Sequence, residues 1–358
     1  MSSPLSSNKK KANRYILLRL KIIYSLLSKG KVSLKKALNF LHVFLAFKLK
    51  RTKTARFPFM INFELWNECN ENCVFCRSSE GLIYDQNPAN DGSLPVSKGR
   101  MPFELFTDVI DQVKNHLFIA ILYVNGEPLM YKRLFDAIRY AADRKVATLI
   151  ATNGQLMTEA KAQGLLEAGL DYIKIAISGM TQETYAIQQR KGNVEEVKSN
   201  LRNLVRLNRE GGYGLVVMLD FILYNYNAHQ LDDVRTMCQE LDVILSVRPG
   251  NLTKLDEEYP DLLAQENIRI PETPLPDLCE WPWQVLTIDW DGSVYPCCDY
   301  VVWNDVEPYA KIKAGEFDLA AIMNGEKATA NRSVHLQEGR VGIPICAQCP
   351  RKGTAFKN

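Results

Sequence analysis

"MINFELWNECNENCVFC", residues 60–76, runs from an apolar, strand-like stretch straight into three cysteines, Cys69, Cys73 and Cys76, spaced C-x3-C-x2-C. A structural zinc takes four protein ligands, and no fourth Cys or His lies nearby. A [4Fe–4S] cluster can be held by three thiolates, and the iron left over is then open to an outside ligand. The other six cysteines are Cys279, Cys297, Cys298, Cys346 and Cys349, which form a second group, and Cys238, which stands alone. An odd number in short-spaced groups, with no secretory signal pattern, points to metal ligation in a reducing compartment over a disulfide framework, and so to the cytoplasm.

Outward from that loop the pattern alternates. Strand-like runs at 60–66, 118–124, 146–152, 172–178, 214–223 and 243–247 are separated by helical runs at 103–116, 131–144, 158–168, 181–209 and 229–241. Such alternation predicts an α/β fold with a parallel sheet. A full eight-unit barrel needs about 250 residues. Six units therefore predict an open, partial (β/α)6 TIM-like barrel over 58–250. A proline- and charge-rich bridge, 251–278, leads into a small cysteine-rich α+β region, 279–358, where "DWDGS" reads as a hairpin turn. With 46% apolar content, 358 residues suffice to bury such a core.

Residues 1–57 read differently. Residues 1–63 hold fifteen Lys/Arg and no acid, against a net +3 for the whole chain, so the remainder carries a net −12. Two amphipathic helices are expected at 13–28 and 33–49, and neither apolar run is long enough to span a bilayer. A basic, aromatic-bearing pair of this kind fits peripheral contact with an anionic membrane through residues 13–56. Packing on the body, a transit peptide or an acidic partner are the competing readings. Nucleic acid is not the expected partner.

Three further motifs close successive strands: "NGEP" (125–128), "ATNG" (151–154) and "ISG" (177–179). Together with the C-x3-C-x2-C loop and Phe75 before its last cysteine, they resemble the radical S-adenosylmethionine (SAM) superfamily. The resemblance implies that the open iron chelates SAM, that Asn125, Gly126, Glu127 and Pro128 meet its methionine ammonium, and that Asn153 and Ser178 lie close by. Arg190, in "QQRKG", is then a candidate carboxylate partner, since its fork suits a carboxylate bidentately. Asn125 stands where the motif usually has glycine, and Asn tolerates a positive φ. Cys279, Cys297, Cys346 and Cys349 resemble the fully ligated auxiliary [4Fe–4S] set of SPASM and twitch domains, although four thiols also suit zinc. Cys298 is left over, to compete with Cys297, to serve a different cluster or, as the favoured reading, to be buried, and Cys238, alone in a helix, is expected to be a core residue.

The resemblance implies reductive cleavage of SAM to a 5′-deoxyadenosyl radical, hydrogen abstraction in the barrel mouth, and an external one-electron donor of flavodoxin or ferredoxin type. An auxiliary cluster that accepts an electron suits dehydrogenation of a sugar, cyclitol or lipid-linked glycan; quenching would give epimerisation. Oxidation needs a base or positive group at the hydroxyl, and Arg248, in "SVRPGN", is the candidate. A peptide maturase and a non-catalytic iron–sulfur scaffold are the alternatives. A winged-helix leader-peptide module does not fit the short basic segment before Cys69. Trp281, Trp283, Trp290, Trp303, Tyr295 and Tyr300 surround the auxiliary motif, as packing or as a sugar platform.

Overall fold

The structure, a computed structural model, describes residues 20–73, 76, 78–79, 82–84, 95–249, 276–303 and 305–349. Phe75, residues 13–19 and most of the 251–278 bridge therefore lie outside the described residues. Strands β1 (Met60–Phe63), β5 (Ile119–Ile121), β6 (Ala147–Thr152), β7 (Tyr172–Ile177), β8 (Val216–Leu223) and β9 (Ile244–Pro249) lie side by side in chain order, all parallel. Short strands β2 (Ser78–Ser79), β3 (Leu82–Tyr84) and β4 (Pro95–Val96) form a separate antiparallel sheet within the segment after Cys76. The six-unit partial barrel is thus as expected, and its sheet does not close.

The C-terminal region continues that sheet. Strand β10 (Val285–Ile288) pairs in parallel with β1, and β11 (Ser293–Tyr295) and β12 (Ala310–Lys311) follow antiparallel. Gly292, at φ 86°, makes the β10–β11 turn that "DWDGS" predicts. The auxiliary region is therefore attached to the barrel by backbone hydrogen bonds along β1.

Period-two alternation divides the strands. Ile61, Phe63, Ile150, Ile173, Ile175, Leu219 and Phe221 face the helices and share one core with Val109, Ile138, Leu165, Leu201 and Val234. Their neighbours in sequence face the lumen. Low in the lumen these are Ile119, Ala147, Tyr172 and Met218; higher up they are Asn62, Lys174, Asp220, Ser246 and Arg248.

The floor of the lumen is filled from the N-terminal arm. Residues 20–28 are helical (α1), and a second helix, α2 (Leu34–Lys48), starts at Ser33, whose hydroxyl accepts from the Lys36 amide. Leu26 packs with Ile119, Ala147, Tyr172 and Met218, and Tyr172 Oη donates to Ile22 O. Lys31 Nζ donates to Asp171 Oδ2 at 2.6 Å and to Val146 O. Asn39 Nδ2 donates to Phe57 O, Phe40 meets Phe59 and Phe118 edge-on, and Phe47 meets Trp283. Burial pushes Lys31 down and brings Lys36 down to about 8. Two of the arm's cations thus lie inside the protein, where the sequence reading counts them as surface charge.

The single helix expected over 181–209 is two, Gln182–Ala186 and Val194–Gly211. At the break a Cβ on Gly192 would come within 2.5 Å of Glu71 Oε1, and Asn193 caps the second helix through the amides of Glu195 and Glu196. Helix 182–209 is interrupted because the cysteine loop packs there.

Candidate functional site

Glu64, just past β1, is fully buried, and its carboxylate accepts from Val124 N, Asn125 N and Asn125 Nδ2. It thereby fixes the start of the "NGEP" segment. Asn125 keeps a negative φ, so its contribution is the side-chain bond to Glu64, where the sequence reading pointed to tolerance of a positive φ. A Cβ on Gly126 would fall 2.1 Å from Trp66 O, so only glycine allows this backbone to lie against the chain entering the cysteine loop. Burial, then neighbouring Asp289, pushes Glu64 up to about 8, and burial also pushes Asp289 up to about 7.

Glu127 is buried as well. Its amide donates to Glu68 O; its carboxylate accepts from Leu129 N, Thr152 Oγ1 and Asn153 N. Burial pushes it up to about 7 against those bonds. Glu127 therefore joins the end of β5 to the end of β6. Asn153 Nδ2 in turn donates to Asn70 Oδ1 at 2.9 Å and lies 3.7 Å from Cys69 Sγ. Pro128 is buried and opens a short 3-10 turn.

Glu71, between the cysteines, accepts from Tyr185 Oη at 2.9 Å, from Gln189 Nε2, and from the Cys73 thiol at 3.2 Å. Cys73 and Gln189 also form a backbone bridge. Ser178 is fully buried; its hydroxyl donates to Gln189 Oε1. Arg190 follows on the exposed side. The structure thus collects Cys69, Cys73, Cys76, Asn125, Gly126, Glu127, Asn153, Ser178 and Gln189 at the C-terminal ends of the strands, where barrels of this type carry their chemistry. Sequence reading missed Glu64, Glu71 and Gln189. The available signal was an acid inside an apolar or thiol-rich run, which is costly unless bonded.

In the second group, Cys279, Cys297, Cys346 and Cys349 line one cavity with Trp281, Asp299, Arg340 and Ile345. Cys346 Sγ lies 3.5 Å from His335 Nε2 and 3.9 Å from Tyr300 Oη. Cys298 is half-buried and outside that lining, a correction to its expected place in the core; Cys238 is buried as expected. Trp283 is wholly buried against Phe47 and His335, so it packs the domain and is no sugar platform.

Both thiol sets fit iron–sulfur clusters. Burial pushes Cys69 up to about 12, Cys279 up to about 12 and Cys346 up to about 11, so thiolates here need a bound cation. Among the described residues no three His, Cys, Asp or Glu side chains close on a point for a single ion. The auxiliary thiols ring a cavity, which suits a polynuclear group better than zinc.

Arg248 lies in the lumen. Its Nε donates to Asp220 Oδ2 at 2.6 Å, Ser246 Oγ donates to Asp220 Oδ1 at 2.7 Å, and Lys174 Nζ is 3.9 Å away. Burial raises Asp220, but Lys174 and Arg248 outweigh it and its pKa is lowered; burial lowers Arg248, but Asp220 outweighs it and raises it. Both groups are ionised at neutral pH.

Comparison with known proteins agrees with this geometry. Residues 63–238 match the model of the radical SAM superfamily, and residues 279–350 that of an iron–sulfur cluster-binding SPASM domain. An AdoMet-dependent heme synthase of Methanosarcina barkeri is 30% identical over 36% of this chain and 33% of its own length. An S-adenosylmethionine-dependent nucleotide dehydratase of Lacinutrix mariniflava is 26% identical over 57% of this chain and 43% of its own. The chain thus spans less than half of these curated relatives. Among solved structures, SuiB of Streptococcus suis bound to precursor peptide SuiA aligns with a TM-score of 0.59 at 16% identity, covering 80% of this chain and 69% of that one. BtrN in complex with AdoMet and 2-DOIA aligns at 0.50 and 19%, covering 82% and 94%. At these identities the two structures speak for the fold. The first match spans the three-thiol loop at the ends of the parallel strands and the second spans the four-thiol cavity, and the chain belongs to the radical SAM superfamily, carries a C-terminal SPASM domain and works with SAM and two [4Fe–4S] clusters.

Proposed function

We propose that the protein is a radical SAM oxidoreductase that removes two electrons from a secondary alcohol of a sugar or cyclitol, free or carried on a lipid. The observation that carries this reading is the polar upper lumen: a buried, ionised Asp220 held by Arg248, Lys174 and Ser246 in a barrel whose lower lumen is apolar. Such a ring suits a substrate dense in hydroxyls. When bound, SAM and the clusters supply a 5′-deoxyadenosyl radical and an electron acceptor. The chain's own residues hold the carbinol at the mouth. A cluster with SAM at Cys69, Cys73 and Cys76 would supply the acceptor for the carbinol hydrogen atom, and a cluster at Cys279, Cys297, Cys346 and Cys349 would supply the acceptor for the remaining electron, so that loss of the O–H proton to solvent would leave a ketone. Arg248, kept cationic by Asp220, serves as a donor to the alcohol oxygen and not as the base. Gly126 and Asn153 are the proposed SAM contacts, Ser178 acts through Gln189, and a flavodoxin- or ferredoxin-type protein is the proposed donor.

The test is anaerobic reconstitution with dithionite and SAM, measuring 5′-deoxyadenosine against sugar nucleotides, cyclitols, polyprenyl-linked sugars and peptides. Deuterium at the carbinol carbon should appear in 5′-deoxyadenosine, with a ketone as product. Turnover with peptides alone, as the SuiB likeness would allow, overturns the reading; an epimer with retained alcohol overturns the oxidation. Arg248→Lys, which loses the fork, should lower kcat/KM about tenfold.

A further inference from the structure

Helix α2 buries one narrow stripe, Lys36, Asn39, Val43 and Ala46, against the barrel floor. On the opposite side, at the same helical period, stand Leu34, Leu38, Leu41 and Leu45, which are 75%, 56%, 48% and 43% exposed. Leu20, Ile23, Tyr24 and Leu27 of α1 are exposed as well. Of the fourteen large exposed hydrophobic residues among those described, twelve fall within residues 20–49. Helices apolar on both sides are normally covered on both sides, and exposed apolar residues concentrated in one segment in this way mark an interaction site.

We propose that this outer face docks on an anionic lipid bilayer. Residues 20–57 contain ten Lys/Arg and no acid. Lys31 and Lys36 are buried under the floor, while Lys21, Lys35, Lys48, Lys50, Arg51, Lys53 and Arg56 remain exposed. Lys48 lies over the Phe44 ring, 5.5 Å from its centroid, which keeps charge and apolar surface together at one edge. Among the described residues, lysines of the arm pair with buried Asp171 and, at 3.7 Å from Lys21, with exposed Asp242. A second copy of the chain would bring two basic faces together across a self-complementary contact, which like charge opposes. Nucleic acid would meet the lysines and leave the leucines uncovered. A bilayer with anionic headgroups satisfies both, and no helix among the described residues is long and apolar enough to cross it, so the pair lies on the surface.

The test is flotation of the reconstituted holoprotein with vesicles of phosphatidylcholine alone or with phosphatidylglycerol, alongside analytical ultracentrifugation. Wild type should float with the mixed vesicles, less with phosphatidylcholine, and less in high salt. L38E/L41E/L45E should abolish flotation while leaving iron content and 5′-deoxyadenosine formation unchanged, which separates this proposal from the proposed reaction. Each exposed lysine removed, as in K35Q or K48Q, should weaken binding about fivefold. Failure of the wild type to float, flotation unaffected by the three glutamates, or a dimer that those glutamates split would each overturn it.

Discussion

Around Cys69, Cys73 and Cys76 the neighbours are acids and amides: Glu71, Glu127, Asn153 and Gln189 hold the loop by hydrogen bonds to other strand ends. Around Cys279, Cys297, Cys346 and Cys349 they are mainly rings, Trp281, Tyr300 and His335, with one cation, Arg340, and one acid, Asp299. The first site is held in place but leaves a coordination position for a ligand, whereas the second is ringed by its own four thiols. One protein therefore presents an open cluster where chemistry starts and an enclosed one suited to handling an electron.

The largest expected effect breaks that contrast directly. C69A/C73A/C76A should abolish 5′-deoxyadenosine formation and lower iron from about eight to about four per chain. C346A/C349A should lower iron equally, yet keep SAM cleavage while losing oxidised product; loss of cleavage in both would mean that the two sites do not divide the work. Next is Glu71→Ala, which leaves Tyr185 and Gln189 without their acceptor. It should cost on the order of 2 kcal/mol of stability, read by chemical denaturation of the holoprotein, and Glu71→Gln should recover part of it. An unchanged midpoint for Glu71→Ala would show that the cysteine loop does not need this anchor.

An effect of comparable size, but visible only as a pH dependence, concerns Glu64, at the foot of the "NGEP" segment. Its folded pKa, raised to about 8 by burial and Asp289, exceeds that of an unfolded glutamate. Its contribution is therefore fully present below the unfolded value and is lost as pH rises through about 8. Glu64→Gln removes that dependence, so the stability difference between wild type and variant should shift in the variant's favour by on the order of 1–3 kcal/mol between pH 5 and pH 8.5. Parallel pH profiles of the two denaturation midpoints would rule this out.

Much of this was legible in the sequence, and for a physical reason. Six apolar strands alternating with amphipathic helices carry their period locally, and the two thiol groups carry their spacing. What was not legible depends on distant contacts. Nothing near residue 285 signals that β10 lies beside β1, since parallel pairing has no turn to announce it. The break at Gly192 exists because Glu71, far away in sequence, occupies the space a side chain would need. Asp220 and Lys174 were visible only as charges inside apolar strands, and packing of the arm on the body was one reading of its composition, but which residues fill the floor, Leu26 and Lys31, depends on the distant strands they meet.

The arm covers the N-terminal ends of the strands, while Cys69, Asn125, Asn153 and Ser178 stand at the opposite ends. A bilayer beneath α2 would consequently see the underside of the barrel, and the mouth would open toward water. Strands rising about 3.3 Å per residue over six or so residues put that mouth roughly 20 Å above the strand bases, and the helix between those bases and the bilayer adds about 10 Å more. A carbohydrate attached directly to a lipid phosphate would be out of reach, so a membrane-borne substrate must carry its reactive ring several sugar units outward, and a free one must arrive from the bulk. Reach, then, joins chemistry in selecting the substrate.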